Sequence, residues 1–212
     1  MTAADRLNAV PLRQRNQRGK GGRLKDEIVQ AAMRILDRAP ATELSLRMVA
    51  REAGVAPPSI YPHFADARTM IAEIVRHCWC QVGDAMSAAA DECEGRAFAS
   101  LEARVRAYVR YAMERPSRYQ LLFALQPLET ETLRDLPGLV QPAYRNIFAS
   151  VEALRHDGFS LPVEDVATAT LLVLSLAHGR VALAHTAPHR EGNSTENVQA
   201  GVLAMLEGIF RR

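Results

Sequence analysis

From Ile28 onward the apolar residues of this chain recur three and four positions apart, and no stretch alternates polar with apolar for long enough to make a strand. That periodicity restricts the fold to packed helices. In RLKDEIVQAAMRILDRAP, residues Ile28, Ala31, Ala32, Ile35 and Leu36 form one stripe and Pro40 stops the helix. Asp26 and Glu27 open it and Arg34 and Arg38 close it, as the helix dipole favours. A shorter helix follows Ser45, a good N-cap, and turns Leu46, Val49, Ala50 and Ala53 inward. Gly54 is placed to end it in a left-handed conformation, with Val55 packing back. Pro57 and Pro58 then fill the first positions of a third helix, where backbone N–H groups lack intrahelical partners anyway. Two short helices joined by a glycine turn and braced by a longer one make a helix-turn-helix.

Asp66 caps the next helix, whose stripe of Met70, Ile71, Ile74, Val75, Cys78, Val82 and Met86 runs on for several turns, as in a connector. Further helices are expected over 97–116, 117–128, 138–156, 163–186 and 195–211. The expected fold is all-α, with a flexible basic arm at 1–22, a three-helix headpiece at 23–66 and a larger helical domain at 67–212.

The 212 residues are 48% apolar, enough for a real core, and the three cysteines are an odd number crowded into one stretch. That argues for a reducing compartment. With no apolar run near the N-terminus to serve as a signal peptide, the expected location is the cytoplasm. The net charge of +2 hides an asymmetry: seven basic residues and one acid precede Asp26, giving +6, and the remainder carries −4. A basic end on a mildly acidic body suggests a polyanion partner. Residues 166–184 are apolar all round apart from a few polar groups and Arg180. A membrane span fits by length, but Thr168, Thr170, Ser175, His178, Gly179 and Arg180 suit one poorly. Core on one side and a partner subunit on the other is the preferred reading. Together with the last helix this gives an intersubunit four-helix bundle, with Leu172, Leu176, Val198, Val202, Met205 and Ile209 at the interface.

LSLRMVAREAGVAPPSIYPHFADARTMIAEI, through Ala50, Gly54, Val55, Ser59, Tyr61, His63, Phe64 and Met70, resembles the headpiece of the TetR (tetracycline-repressor-like) family of bacterial regulators. Ala67 stands where that family usually carries a lysine, with Arg68 beside it. RAYVRYAMERPSRYQLLF and LSLAHGRVAL are similar to the subgroup named for a Trp-His-Gly signature, although Ala177 replaces the tryptophan before His178 and Gly179. The resemblance implies a dimer that binds double-stranded DNA at a palindromic operator, most simply a repressor released by a small, largely apolar effector, with no cofactor and with 67–212 as the effector-binding and dimerisation domain. An activator or ligand-independent regulator on the same scaffold remains open, as does a helical enzyme or carrier.

A recognition helix needs only about two turns to enter the major groove. Ile60 and Phe64 are expected to face the core, leaving Tyr61 and His63 for phosphates and Ser59, Pro57 and Pro58 for base edges or thymine methyls. Arg47 is the candidate for a strong base or phosphate contact, Ser45 for a phosphate at its helix N-terminus. Arg68 is a candidate beside it, and Arg18, Lys20, Arg23 and Lys25 of the basic region can reach the backbone or minor groove. The effector pocket is expected among Trp79, Met86, Tyr108, Tyr111, Met113, Tyr119, Phe123, Phe148 and His178. His185, seven residues after His178, shares its helix face. Cys78 and Cys80 diverge by roughly 200° on a helix, and His77 beside them completes no zinc spacing, so no metal site is expected. No nucleophile elbow or dinucleotide fingerprint occurs, and an enzyme is not expected.

Overall fold

A computed structural model of the chain describes residues 21–93, 95–123 and 130–211. Those residues form eight α-helices and no strand: α1 Gly21–Leu36, α2 Leu46–Glu52, α3 Ala67–Asp91, α4 Ala97–Glu114, α5 Pro116–Phe123, α6 Thr130–His156, α7 Val166–Thr186 and α8 Thr195–Ile209. The all-α expectation holds. Helix α6 begins at Thr130, ahead of the expected 138, and runs through Pro137. Chain packing divides the molecule into two units, one ending at Val75 and the other beginning at Arg76, so that the boundary falls inside α3.

In the first unit α1 packs on α2, and α2 on a 3-10 turn at Pro57–Ser59. The stripe read from the sequence is the buried one: Ile28, Ala31, Ala32, Ile35 and Leu36 of α1 are shielded together with Val49, Ala50, Ile60, Phe64, Met70 and Ile74. Glu52 of α2 reaches back to Arg34 of α1, whose Nε it binds at 2.8 Å, and to Arg38 just past the end of that helix. Those two guanidiniums, Arg38 first, hold the Glu52 carboxyl below its usual range.

In the second unit α4 packs against α5, α6, α7 and α8, while α6 meets α7 and α7 meets α8. Leu101, Val105 and Val109 of α4, Ile147, Val151 and Leu154 of α6, and Val173, Ala177 and Val181 of α7 fill this core. Each valine, leucine or isoleucine among them contributes about 1.5–3 kcal/mol by leaving water. Helices α3 and α6 approach closely at Gly83, where a Cβ would stand 2.5 Å from the Cβ of Pro142. Asn146 pins the crossing by donating to the carbonyls of Gly83 at 3.2 Å and Pro142 at 2.9 Å, and it accepts from Ser87 at 3.0 Å.

Candidate nucleic-acid interface and ligand site

The sequence builds the interface from the end of α2. Ser45 caps that helix, its Oγ accepting from the Met48 N–H at 3.3 Å. At the other end Gly54 has φ +68°, its N–H bonding the Arg51 carbonyl at 3.2 Å while Val55 N–H bonds that of Ala50 at 3.0 Å. This paired closure is a Schellman motif, and it needs a residue that enters the left-handed region without strain. The chain leaves it in extended form at Ala56 and tightens into the 3-10 turn.

Here the structure corrects one expectation. The third headpiece element is not a two-turn α-helix but the 3-10 segment followed by turns, closed by Ser59 N–H to Ala56 O and by His63 and Phe64 N–H to Ile60 O. Pro57 and Pro58 open the segment, where no ladder donor is needed, but Pro62 lacks the N–H that a second regular turn would bond to the Pro58 carbonyl. The anchoring is as expected: Ile60 and Phe64 are buried. Between and beside them Tyr61 is 57% exposed, Pro57 and Pro58 are exposed, and Ser59 and His63 are half-buried. Arg47, also exposed, rises from α2.

Among the basic candidates, Arg68 is exposed and lies near Asp66, whose carboxylate caps α3 by accepting from Thr69 N–H at 2.8 Å. Two others are already engaged inside the headpiece. Lys25 pairs with Glu73 at 3.2 Å and its ammonium stands 5.8 Å from the Phe64 ring centre, while Arg23 pairs with Glu27 at 3.0 Å. Both stay partly exposed, so their charge is shared rather than lost. Arg18 and Lys20 lie outside the described residues.

In the second unit Tyr119 of α5 gathers much of the expected pocket. Its ring centre lies 5.0 Å from Phe123, 6.3 Å from Tyr108, 5.7 Å from His178 and 5.2 Å from His185. Trp79 meets Phe123 edge-on at 5.7 Å. The cluster is uncharged near neutrality: burial pushes the Tyr119 phenol up to about 12, holds Tyr108 well above its ordinary value, and lowers both histidines. Phe148 is not brought there but pairs with Tyr144 on α6, their rings 5.8 Å apart. Met86 is fully buried and Met113 half-buried. Tyr111 instead shares a hydrogen-bonded patch with Gln81, which accepts from Tyr111 Oη at 3.4 Å and from Arg118 at 3.0 Å. Tyr111 also lines a groove of about 530 Å³ between α3 and α4, with Ala88, Ala107, Arg106, Arg110 and Arg115, which no sequence motif marked.

Residues 28–74 match the family model described as bacterial regulatory proteins, tetR family, and residues 101–207 match that of the tetracyclin repressor-like C-terminal domain. The chain belongs to the TetR family. It is therefore a DNA-binding transcriptional regulator and not an enzyme. Neither description names the Trp-His-Gly subgroup. A relative from Bacillus subtilis (strain 168), the uncharacterized HTH-type transcriptional regulator YobS, is 26% identical over 187 residues, covering 86% of this chain and 91% of that protein. Among solved structures, a Rhodococcus sp. RHA1 protein of unknown function has a TM-score of 0.73 at 22% identity, covering 92% of this chain and 99% of the other. The fatty acid degradation regulator FadR from Bacillus halodurans has 0.69 at 14% identity, covering 89% and 97%. These two likenesses are of fold.

The proposed interface of this TetR-family chain needs a second correction. Val198 and Val202 of α8 are fully buried within the single chain and cannot meet a partner. They face the core because α8 packs on both α4 and α7. The outward apolar residues are Leu171, Leu172, Leu183 (66% exposed) and Met205 (55% exposed), with Leu176 and Ile209 half-buried. Helix α7 is the one described helix long and apolar enough to cross a membrane. One of its faces, through Ala169, Val173, Ala177, Val181 and Ala184, is core, and Arg180 donates to the Gly192 carbonyl at 2.7 Å.

Proposed function

We propose that this TetR-family regulator works as a cytoplasmic homodimer that binds a palindromic operator and acts as a repressor released by a small, largely apolar effector. The observation that carries the reading is the Gly54 turn. It anchors Ile60 and Phe64 in the headpiece and leaves Tyr61, Pro57, Pro58 and Arg47 outward. On this reading Tyr61 and His63 contact phosphates, and Ser59 with the two prolines meets base edges. Arg47 supplies the strong contact. The Ser45 oxygen is occupied by Met48, but its O–H remains free to donate to a phosphate. Arg68, and Arg18 and Lys20 in the basic arm at 1–22, add salt-sensitive backbone affinity, with smaller shares from Arg23 and Lys25.

The exposed leucines of α7 and Met205 of α8 support a two-fold bundle between subunits, since large apolar side chains left together in water favour association. The uncharged aromatic cluster around Tyr119 supports an apolar effector. An effector that binds better when the two headpieces are splayed shifts that population and weakens operator binding. Selection of bound duplexes from a random pool tests the reading. The recovered site should be an inverted repeat with half-sites about one helical turn, ~34–36 Å, apart. Recovery of no sequence, or of an asymmetric single site, would refute it.

A further inference from the structure

Two imidazoles on α7, His178 and His185, sit two helical turns apart against the Tyr119 ring, and their nitrogens are differently satisfied. The Tyr119 hydroxyl lies 2.5 Å from His178 Nδ1 and 3.4 Å from the His178 carbonyl. That carbonyl, inside a helix, already accepts from the following turn, so the short contact takes the Tyr119 proton. A neutral His178 therefore carries its proton on Nε2. His185 differs. Its Nε2 is buried and finds no hydrogen-bond partner among the described residues. It is a polar atom turned away from water, which the fold leaves unsatisfied and a ligand can satisfy.

The geometry points to a neutral aromatic ring bearing a hydroxyl, phenol chemistry, as the effector class: the ring packs among Tyr119, Phe123 and His178, and its hydroxyl pairs with His185 Nε2. The inference rests on the effector-release reading above and names its ligand. Phe123 forms the outer wall. It is the last residue of α5, is 42% exposed, and its ring centre lies 4.0 Å from that of His178. Turning it outward opens the cluster while Tyr119 keeps its bonds. Both imidazoles are lowered by burial, so neither supplies a cation for a phenolate or carboxylate.

Trp79 is the chain's single tryptophan and packs on Phe123, so its fluorescence reports the site. The full chain is titrated with phenol and with toluene, which matches its shape but lacks the hydroxyl. Water holds phenol better than toluene, so an apolar slot without a partner prefers toluene. The expected result is that phenol half-saturates the wild type at a concentration no higher than toluene. In His185→Phe the preference should move toward toluene by about fivefold or more, the worth of one net hydrogen bond. Tighter toluene binding in the wild type, no response to either probe, or an unchanged ratio in His185→Phe overturns the assignment. Binding to the selected duplex without any probe is a separate reading. Its failure would sink the regulator mechanism and leave this titration interpretable.

Discussion

Substituting Gly54 isolates the turn on which the headpiece depends. Its φ of +68° lies in the left-handed region, and a Cβ added there meets nothing within 4 Å. The penalty for Gly54→Ala is therefore backbone strain alone, about 1–2 kcal/mol. The stiffer unfolded chain offsets roughly 0.4–1 kcal/mol of it, leaving a net loss on the order of 1 kcal/mol, or about fivefold in the opening equilibrium. Asparagine tolerates this region better than alanine, and valine far worse, so the order of stability should be Gly, Asn, Ala, Val. Amide hydrogen exchange at Val49 and Ala50, buried in α2, reads the opening directly. Exchange should quicken about fivefold in Gly54→Ala, less in Gly54→Asn and more in Gly54→Val. Equal rates for glycine and alanine, or asparagine no better than alanine, would refute the reasoning.

Three further outcomes are expected. Gly83→Ala forces a methyl to within 2.5 Å of Pro142 and should lower the melting temperature by a few degrees, through about 1–3 kcal/mol of overpacking; an unchanged melt would mean the crossing relaxes freely. Leu172→Glu and Leu183→Glu should yield a folded chain of monomer mass by light scattering, whereas Val202→Glu should unfold the chain, because Val202 is core. On acidification two losses should separate. Burial depresses His178 and His185, so the stability they leave intact above their ordinary value of 6.5 falls away as pH drops through their lower folded values. Glu52 is depressed by Arg38 and Arg34, so the stability from its clamp persists above the ordinary carboxylate range and is lost only below it. Exchange rates followed against pH should show α7 loosening first and α1 and α2 later.

Much of this was legible because helices write their buried faces at a fixed period. Ile28 to Leu36, Met70, Ile74 and Met86 are shielded where that period put them, and Ser45, Asp66 and Gly54 punctuate the chain as their chemistry dictates. Period alone was insufficient where a helix is apolar on more than one face. Val198 and Val202 share the spacing of Met205, and only packing against α4 and α7 decides which of them turn inward. The failure of the segment after Pro57–Ser59 to continue as a regular helix was implicit in Pro62, whose missing donor a second turn could not absorb. Other features join residues far apart in sequence, where no local pattern reaches. Among them are the Glu52 clamp on α1, the pairing of Phe148 with Tyr144 rather than Tyr119, and the alanine-floored groove beside Tyr111.

The central claim is that the stretch from Arg47 to His63 is the surface that meets the duplex. Fluorescence anisotropy of the selected duplex, run with the wild type and with Arg47→Ala and Tyr61→Ala at two salt concentrations, tests it most directly. Each variant should keep its oligomeric mass and melting temperature yet bind about tenfold more weakly, with a shallower dependence on salt in Arg47→Ala. Wild-type affinity in both variants would place the contact elsewhere on the molecule and contradict the account.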